Sequence, residues 1–284
     1  MSAAKLSELA LSQPIRAGSF IVTVFGDVIA PRGGEVWIGN LIECCAPFGI
    51  SETLIRTAVS RLVSAQQLIG LRKGRRSFYR LTEAARLEYR QAADIIYGQL
   101  DEPAWRMLLF ANGGAHAQIE ETGLHGYVAL SDLCAIGPAR GPVPDQALAL
   151  TGPVQGARQN LQAFSRATWN LDALEQEYEG FLALVAQIDS MDLSAPPDAL
   201  QARVLLVHAF RQIVLRDPRL PGAALPSDWA GRRAHARFAQ AYLGLSDAAD
   251  SHVAASFQCS EGGLATLNAD GVNRYNLLRK GLSP

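Results

Sequence analysis

Between Ser51 and Val63 apolar and polar residues alternate at a helical spacing. Leu54, Ile55, Ala58, Val59, Leu62 and Val63 fall on one side, and Thr53, Arg56, Thr57, Ser60 and Arg61 on the other. Ser51 is placed to cap that helix, because its hydroxyl can accept from an otherwise unpaired amide of the first turn. Val36 to Cys45 predicts a shorter amphipathic helix, and Pro47, Phe48 and Gly49 supply the break between the two. Leu68 to Leu71 and Ser77 to Leu81 read as strands joined by Arg72-Lys73-Gly74-Arg75-Arg76, whose glycine permits the positive φ of a tight turn. Thr82 then caps a helix running to about Tyr97. Helix, break, helix and hairpin in that order predict a winged helix-turn-helix.

The pattern changes after Gly98. Asp101, Glu102 and Pro103 break the helix, Trp105 to Phe110 reads as a buried strand, Tyr127 to Ile136 as a second and Gln146 to Leu150 as a third. Helical stretches between and after them, including Gln155 to Phe164, make this a small α+β layer. From Leu171 the chain turns helical, with one stripe of Leu174, Tyr178, Phe181, Leu182 and Val185 and another from Leu200 to Val214. Asp217 to Pro226 forms a proline-stiffened connector before a helix from Trp229 to about Leu243, and beyond Ser246 the residues become small and polar. The expected fold is therefore multidomain α+β. Its parts are a winged helix-turn-helix at 17–98, an α+β middle domain at 99–168, an all-α domain at 169–250 and a tail at 251–284.

Charge sharpens the first of these assignments. Residues 51–90 hold nine basic side chains against three acidic ones, a balance of +6, while the whole chain stands at −1. The positive field is thus confined to one module. An outward face of arginine, threonine and serine suits phosphate oxygens and base edges, since arginine forks onto guanine and hydroxyls donate or accept. DNA-facing candidates are Thr53, Arg56, Thr57, Ser60 and Arg61 on the helix, with Arg72, Lys73, Arg75, Arg76 and Tyr79 on the hairpin. A solvated surface or a module that docks an acidic protein partner are the alternatives.

The wording of the chain also resembles the PaaX-type transcriptional regulators of phenylacetic acid catabolism. The resemblance is carried by Ser19-Phe20-Ile21-Val22-Thr23-Val24-Phe25-Gly26-Asp27, Pro31-Arg32-Gly33-Gly34-Glu35-Val36-Trp37, Ala46-Pro47-Phe48-Gly49-Ile50, Arg56-Thr57-Ala58-Val59-Ser60-Arg61-Leu62 and Gly74-Arg75-Arg76-Ser77-Phe78-Tyr79-Arg80-Leu81-Thr82. It weakens after Tyr97 and returns at Arg216-Asp217-Pro218-Arg219-Leu220-Pro221, with Leu225, Pro226 and Trp229 downstream. What it implies is a dimeric repressor with a ferredoxin-like middle domain and a helical C-terminal domain. The repressor would sit on an inverted-repeat operator and leave it when an aryl-CoA thioester such as phenylacetyl-CoA binds.

The remaining chemistry is sparse. A hydrophobic share of 49% with 19% charged residues is that of a globular protein. Apolar runs such as Phe181 to Ala186 are too short to span a bilayer, and Ser2 to Ile15 lacks the order of a signal peptide, so a cytoplasmic location is expected. Cys44, Cys45, Cys134 and Cys259 have no metal-ligand spacing. Neighbouring Cys44 and Cys45 are not expected to share one helix face; they read as reduced and structural, a redox switch being the alternative. Arg232, Arg233 and His235, with Trp229 and Arg216, read first as a solvated cationic face. Alternatively they form an effector site that takes the phosphates of a CoA-like ligand. Asn112-Gly113-Gly114 reads as a tight turn before a phosphate cradle, for it lacks the lysine of a P-loop. No enzyme, cofactor or metal is expected. A metal-dependent nuclease using Asp132, Asp145 and Asp172 is the minor alternative, and these show no paired spacing.

Overall fold

The computed structural model describes residues 15–282 together with Leu6, Glu8 and Leu9. Ala17–Val24 forms α1, which runs on through a π-helical turn, Phe25–Ile29, and a 3-10 turn, Ala30–Arg32, into β1, Glu35–Trp37. There follow α2 (Ile38–Cys45), a 3-10 turn (Ala46–Phe48), α3 (Glu52–Ser64), β2 (Leu68–Lys73), β3 (Arg76–Leu81) and α4 (Glu83–Ile96). The next stretch holds β4 (Trp105–Phe110), α5 (Ala115–Thr122), β5 (Val128–Ser131), β6 (Cys134–Pro138) and β7 (Ala147–Gly152). After it come α6 (Arg158–Trp169), α7 (Leu171–Asp189), α8 (Pro196–Val214) and α9 (Ala230–Ser256). The short strands β8 (Gln258–Cys259) and β9 (Gly262–Gly263) and helix α10 (Ala269–Gly281) complete the chain. None of the described helices is long and apolar enough to cross a membrane.

Two compact units emerge. One gathers the described residues of 1–99, 181–215 and 234–282, the other 100–180 and 216–233. In the first, α1 and its π turn bury Phe20, Ile21, Val24, Phe25, Val28 and Ile29. A helix apolar on nearly every side belongs in the middle of a core, not on its rim. Within that core Asp27 collects four side chains. Its carboxylate accepts from Arg203 Nε at 3.1 Å, Arg274 Nη1 at 3.2 Å, the Tyr97 hydroxyl at 3.0 Å and the Tyr242 hydroxyl at 2.8 Å. A buried carboxylate survives only with such compensation.

The second unit is an antiparallel sheet in the order β5-β6-β4-β7. Leu108, Phe110, Ala115, Leu124, Tyr127 and Ala135 form a core with α5. The Arg216-to-Pro221 motif is structural here. Asp217 accepts from the Tyr178 hydroxyl at 2.6 Å and from the Arg219 amide at 2.6 Å, while the Asp217 carbonyl meets His125 at 2.7 Å.

Several elements differ from the sequence expectation. The segment 251–284 is not a tail: α9 continues to Ser256, a hairpin follows, and α10 places a buried Arg274 against Asp27 and the Gly26 carbonyl. Partners that lie about 250 residues away leave no local signature. Tyr127 to Ile136 is two strands, with a turn at Asp132 and Leu133 that lacks the usual glycine or proline. Glu35–Trp37 is a strand because it pairs with β3, Trp37 opposite Phe78. Leu54 and Val63 are exposed, so the buried stripe of α3 narrows to Ile55, Ala58 and Val59. Cys44 and Cys45 are both buried, Cys45 being the last residue of α2 before the 3-10 turn.

Candidate nucleic-acid interface

The outward face of α3 is built from its ends inward. Gly49 takes a φ of +72°, which reverses the chain after the 3-10 turn, and the Ser51 hydroxyl caps α3 by accepting from the Leu54 amide at 3.4 Å. Ile55, Ala58 and Val59 pin the other side to the core. Thr53, Arg56, Thr57, Ser60 and Arg61 are all exposed as a result. Arg56 pairs with Glu52 one turn earlier at 2.7 Å, a surface pair that costs little to break. The Thr57 hydroxyl donates to the Thr53 carbonyl at 2.8 Å, which leaves its oxygen free to accept. Leu54, 54% exposed, stands on this polar face as a missed candidate, and its methyls suit the 5-methyl of thymine. Helical spacing groups it with the apolar side instead.

The hairpin β2–β3 sits beside β1 in the order β1-β3-β2. Its turn places Lys73 opposite Arg76, with Gly74 at a φ of +63°. Arg72, Lys73, Arg75 and Arg76 are exposed, and Tyr79 is half-buried. Two of these cations are already engaged. Lys73 donates to the Ser260 carbonyl at 2.6 Å, and Arg76 donates to Gln258 Oε1 at 2.6 Å while lying 4.9 Å above the Trp37 ring. The β8–β9 hairpin is held in turn by Asn40, which accepts from the Gln258 amide at 2.9 Å, and by Glu35, which accepts from the Ser260 amide at 2.7 Å. Sequence reasoning missed Glu35, Asn40, Gln258 and Ser260, whose pairing spans more than two hundred residues. Arg72 reaches only the Gly74 carbonyl at 3.3 Å, and Arg75 has no hydrogen bond or ion pair among the described residues. The four cations share one exposed hairpin turn, whose strand β2 packs against α3, and two of them are pre-positioned.

The residues read as an effector cluster each have partners of their own. Arg216 lies on Glu177 at 3.2 Å, Arg232 faces Glu102 at 3.6 Å, and Arg233 pairs with Glu179. Trp229 is buried against Tyr178, ring centroids 6.1 Å apart. His235 packs on Phe210 at 5.9 Å, and burial lowers its pKa against the opposing pull of the Gly98 backbone. The Asn112-Gly113-Gly114 turn is closed by the chain itself, for the Gly114 amide donates to Asp132 Oδ1 at 2.9 Å. Asp172 pairs with Arg166 at 3.0 Å. No group of three or more metal-binding side chains occurs among the described residues.

Comparison with known proteins adds independent observations. The profile described as PaaX-like protein matches residues 16–85, and that of the PaaX-like protein C-terminal domain matches residues 169–255. The transcriptional repressor PaaX of Escherichia coli K12 is 29% identical over 276 residues, an alignment covering 88% of this chain and 87% of that one. A solved structure, an uncharacterized protein from Mycobacterium tuberculosis, is 21% identical with a TM-score of 0.46, covering 75% of this chain and 89% of that one. The first profile spans α1 to the start of α4, the segment that carries the exposed polar face and the cationic hairpin. The chain belongs to the PaaX-like family of transcriptional regulators.

Proposed function

We propose that this chain is a dimeric repressor of an aromatic-acid catabolic operon of the phenylacetate type, released from its operator by an aryl-CoA thioester. The observation that carries the DNA-binding part is the exposed polar face of α3 beside four exposed cations of one hairpin. In this reading residues 17–98 work as a winged helix-turn-helix. Thr53, Arg56, Thr57, Ser60 and Arg61 address the major groove, and Arg72, Lys73, Arg75, Arg76 and Tyr79 address the backbone or a neighbouring groove.

The second unit is the dimerisation module in this reading. Its strand order is that of a ferredoxin-like layer, with a loop at 139–146 where a second helix would stand. β7 is an edge strand bearing Leu148 and Leu150, 71% and 61% exposed. A long apolar edge is a template for pairing with another chain, and a second copy would cover it. Two heads held by one dimer call for half-sites about one helical turn, or a multiple, apart.

Fluorescence anisotropy on DNA from the gene's own upstream region, against scrambled DNA, tests the reading. Specific binding that phenylacetyl-CoA abolishes, and phenylacetate or CoA alone does not, is the expected result. Equal affinity for scrambled DNA would favour the protein-docking alternative.

A further inference from the structure

Along α4 runs a cavity of about 410 Å³, walled by the π turn after α1, by α4 and by α10. Arg86, Arg90, Tyr89, Asn273 and Arg274 all face it. A second cavity of about 280 Å³ shares Gly26, Tyr89, Ala93 and Tyr97 with the first and adds Arg211. The π turn packs against Tyr89 here, for a Cβ at Gly26 would stand 3.4 Å from the Tyr89 ring, in van der Waals contact.

The polar groups of this cleft are incompletely satisfied. Arg274 is 7% exposed, yet its Nε has no hydrogen-bond partner among the described residues. Arg90 makes no hydrogen bond or ion pair among them either. An orphaned buried donor is costly, so a concave wall that keeps one is suited to an acceptor from outside. Glu83, Asp94 and Asp270 stand in the same wall. Mixed signs do not suit a simple anion. They suit a molecule that offers an anion at one end and amine or hydroxyl donors at the other.

We infer that this cleft binds a nucleotide-like organic anion: its phosphate meets Arg86, Arg90 and Arg274, its ring lies against Tyr89, and its donors meet Asp94, Asp270 and Asn273. Guanidinium groups fork onto phosphate oxygens, and an aromatic ring offers a stacking face. The inference rests on the reading that a small-molecule effector releases the repressor, and an acyl-CoA carries such a moiety. The cleft also reaches the DNA-facing helix. The Thr82 hydroxyl at the start of α4 donates to the Gln66 carbonyl just past α3 at 2.8 Å, and the Thr82 amide donates to the Gln67 carbonyl at 3.0 Å. A ligand preferring a shifted α4 therefore acts on the α3–hairpin junction by its differential affinity for the two states.

The test is calorimetric titration of the full chain with phenylacetyl-CoA, CoA and ADP, for the natural protein and for Arg90→Ala, Asn273→Ala and Ala93→Leu. Upstream-DNA affinity is measured alongside by anisotropy. The first two variants remove exposed side chains, and the third fills the space shared by both cavities. Each is expected to weaken ligand binding at least about tenfold and to leave DNA affinity within about twofold. Natural protein and variants binding phenylacetyl-CoA equally would overturn the cleft and keep the effector reading. A nucleotide bound by the natural protein and lost in the variants, with no release of DNA by phenylacetyl-CoA, would keep the cleft and end that reading. Binding of none of the three probes would end both, and loss of DNA affinity in Arg90→Ala would assign that arginine to the duplex instead.

Discussion

Arg203 and Asp27 form an ion pair at 3.1 Å in which the side chains are 1% and 0% exposed. Burial lowers the Arg203 pKa, yet Asp27, Tyr242 and Asp250 more than offset it, and the guanidinium stays charged. Arg274 leans on the same carboxylate. Asp27→Ala therefore leaves two buried cations short of their counter-charge, at a cost of about 3–5 kcal/mol. Urea denaturation reads this directly, and a loss under about 1 kcal/mol would mean that solvent reaches the cluster.

The hairpin cations divide by their partners. Arg75→Ala should weaken every DNA sequence alike, reduce the salt slope by about one and leave stability unchanged. Arg76→Ala should do the same and also destabilise the fold by about 1 kcal/mol, because Arg76 ties the hairpin to Gln258 and Trp37. Arg61→Ala should instead relax preference at particular bases by roughly 1 to 3 kcal/mol. Anisotropy across single-base operator variants separates these patterns, and identical profiles for Arg75→Ala and Arg61→Ala would refute the division.

Leu54 gives a cleaner contrast between stability and binding. Its side chain is 54% exposed, so Leu54→Ser should change unfolding free energy by no more than about 0.5 kcal/mol. DNA affinity should fall nonetheless, with the loss concentrated at one A·T position. Melting curves and operator titrations of one preparation suffice. Unfolding with intact affinity would return Leu54 to the core.

His208 confers an acid sensitivity. Its Nδ1 lies 2.9 Å from the Thr23 hydroxyl, and burial, reinforced by Arg211, pushes its pKa from 6.5 down to about 4. Between those values the unfolded chain takes up a proton that the folded chain refuses. Stability therefore falls as pH drops through that window and stops falling below it. Denaturation at pH 7 and pH 4.5 should differ by about 2–3 kcal/mol from this residue. His208→Gln should remove that share, and an unchanged difference would place the acid sensitivity elsewhere.

Cys44 and Cys45 should be inert. Burial pushes the Cys44 thiol up to about 12 and raises Cys45 well above its usual value, so neither carries much thiolate at neutral pH. Iodoacetamide followed by peptide mass spectrometry should label the half-buried Cys134 and Cys259 in the native protein, and Cys44 and Cys45 only after denaturation. Native labelling of Cys44 would revive the redox alternative.

The α3 face and the cationic hairpin were legible in the sequence because both rest on short-range rules. Ser51 caps, Gly74 turns, and helical spacing sorts Arg56 from Ile55. The same rule misplaced Leu54 and Val63, since a periodic stripe does not say how much of it a neighbour covers. What only the tertiary structure decided lies far apart along the chain: α10 with Arg274 against Asp27, the β8–β9 hairpin holding Lys73 and Arg76, and the cleft over Tyr89. Gln258 and Arg274 look like ordinary surface residues beside their own neighbours. Their partners are set by the packing of remote elements, and a buried arginine becomes predictable only once its carboxylate has been placed beside it.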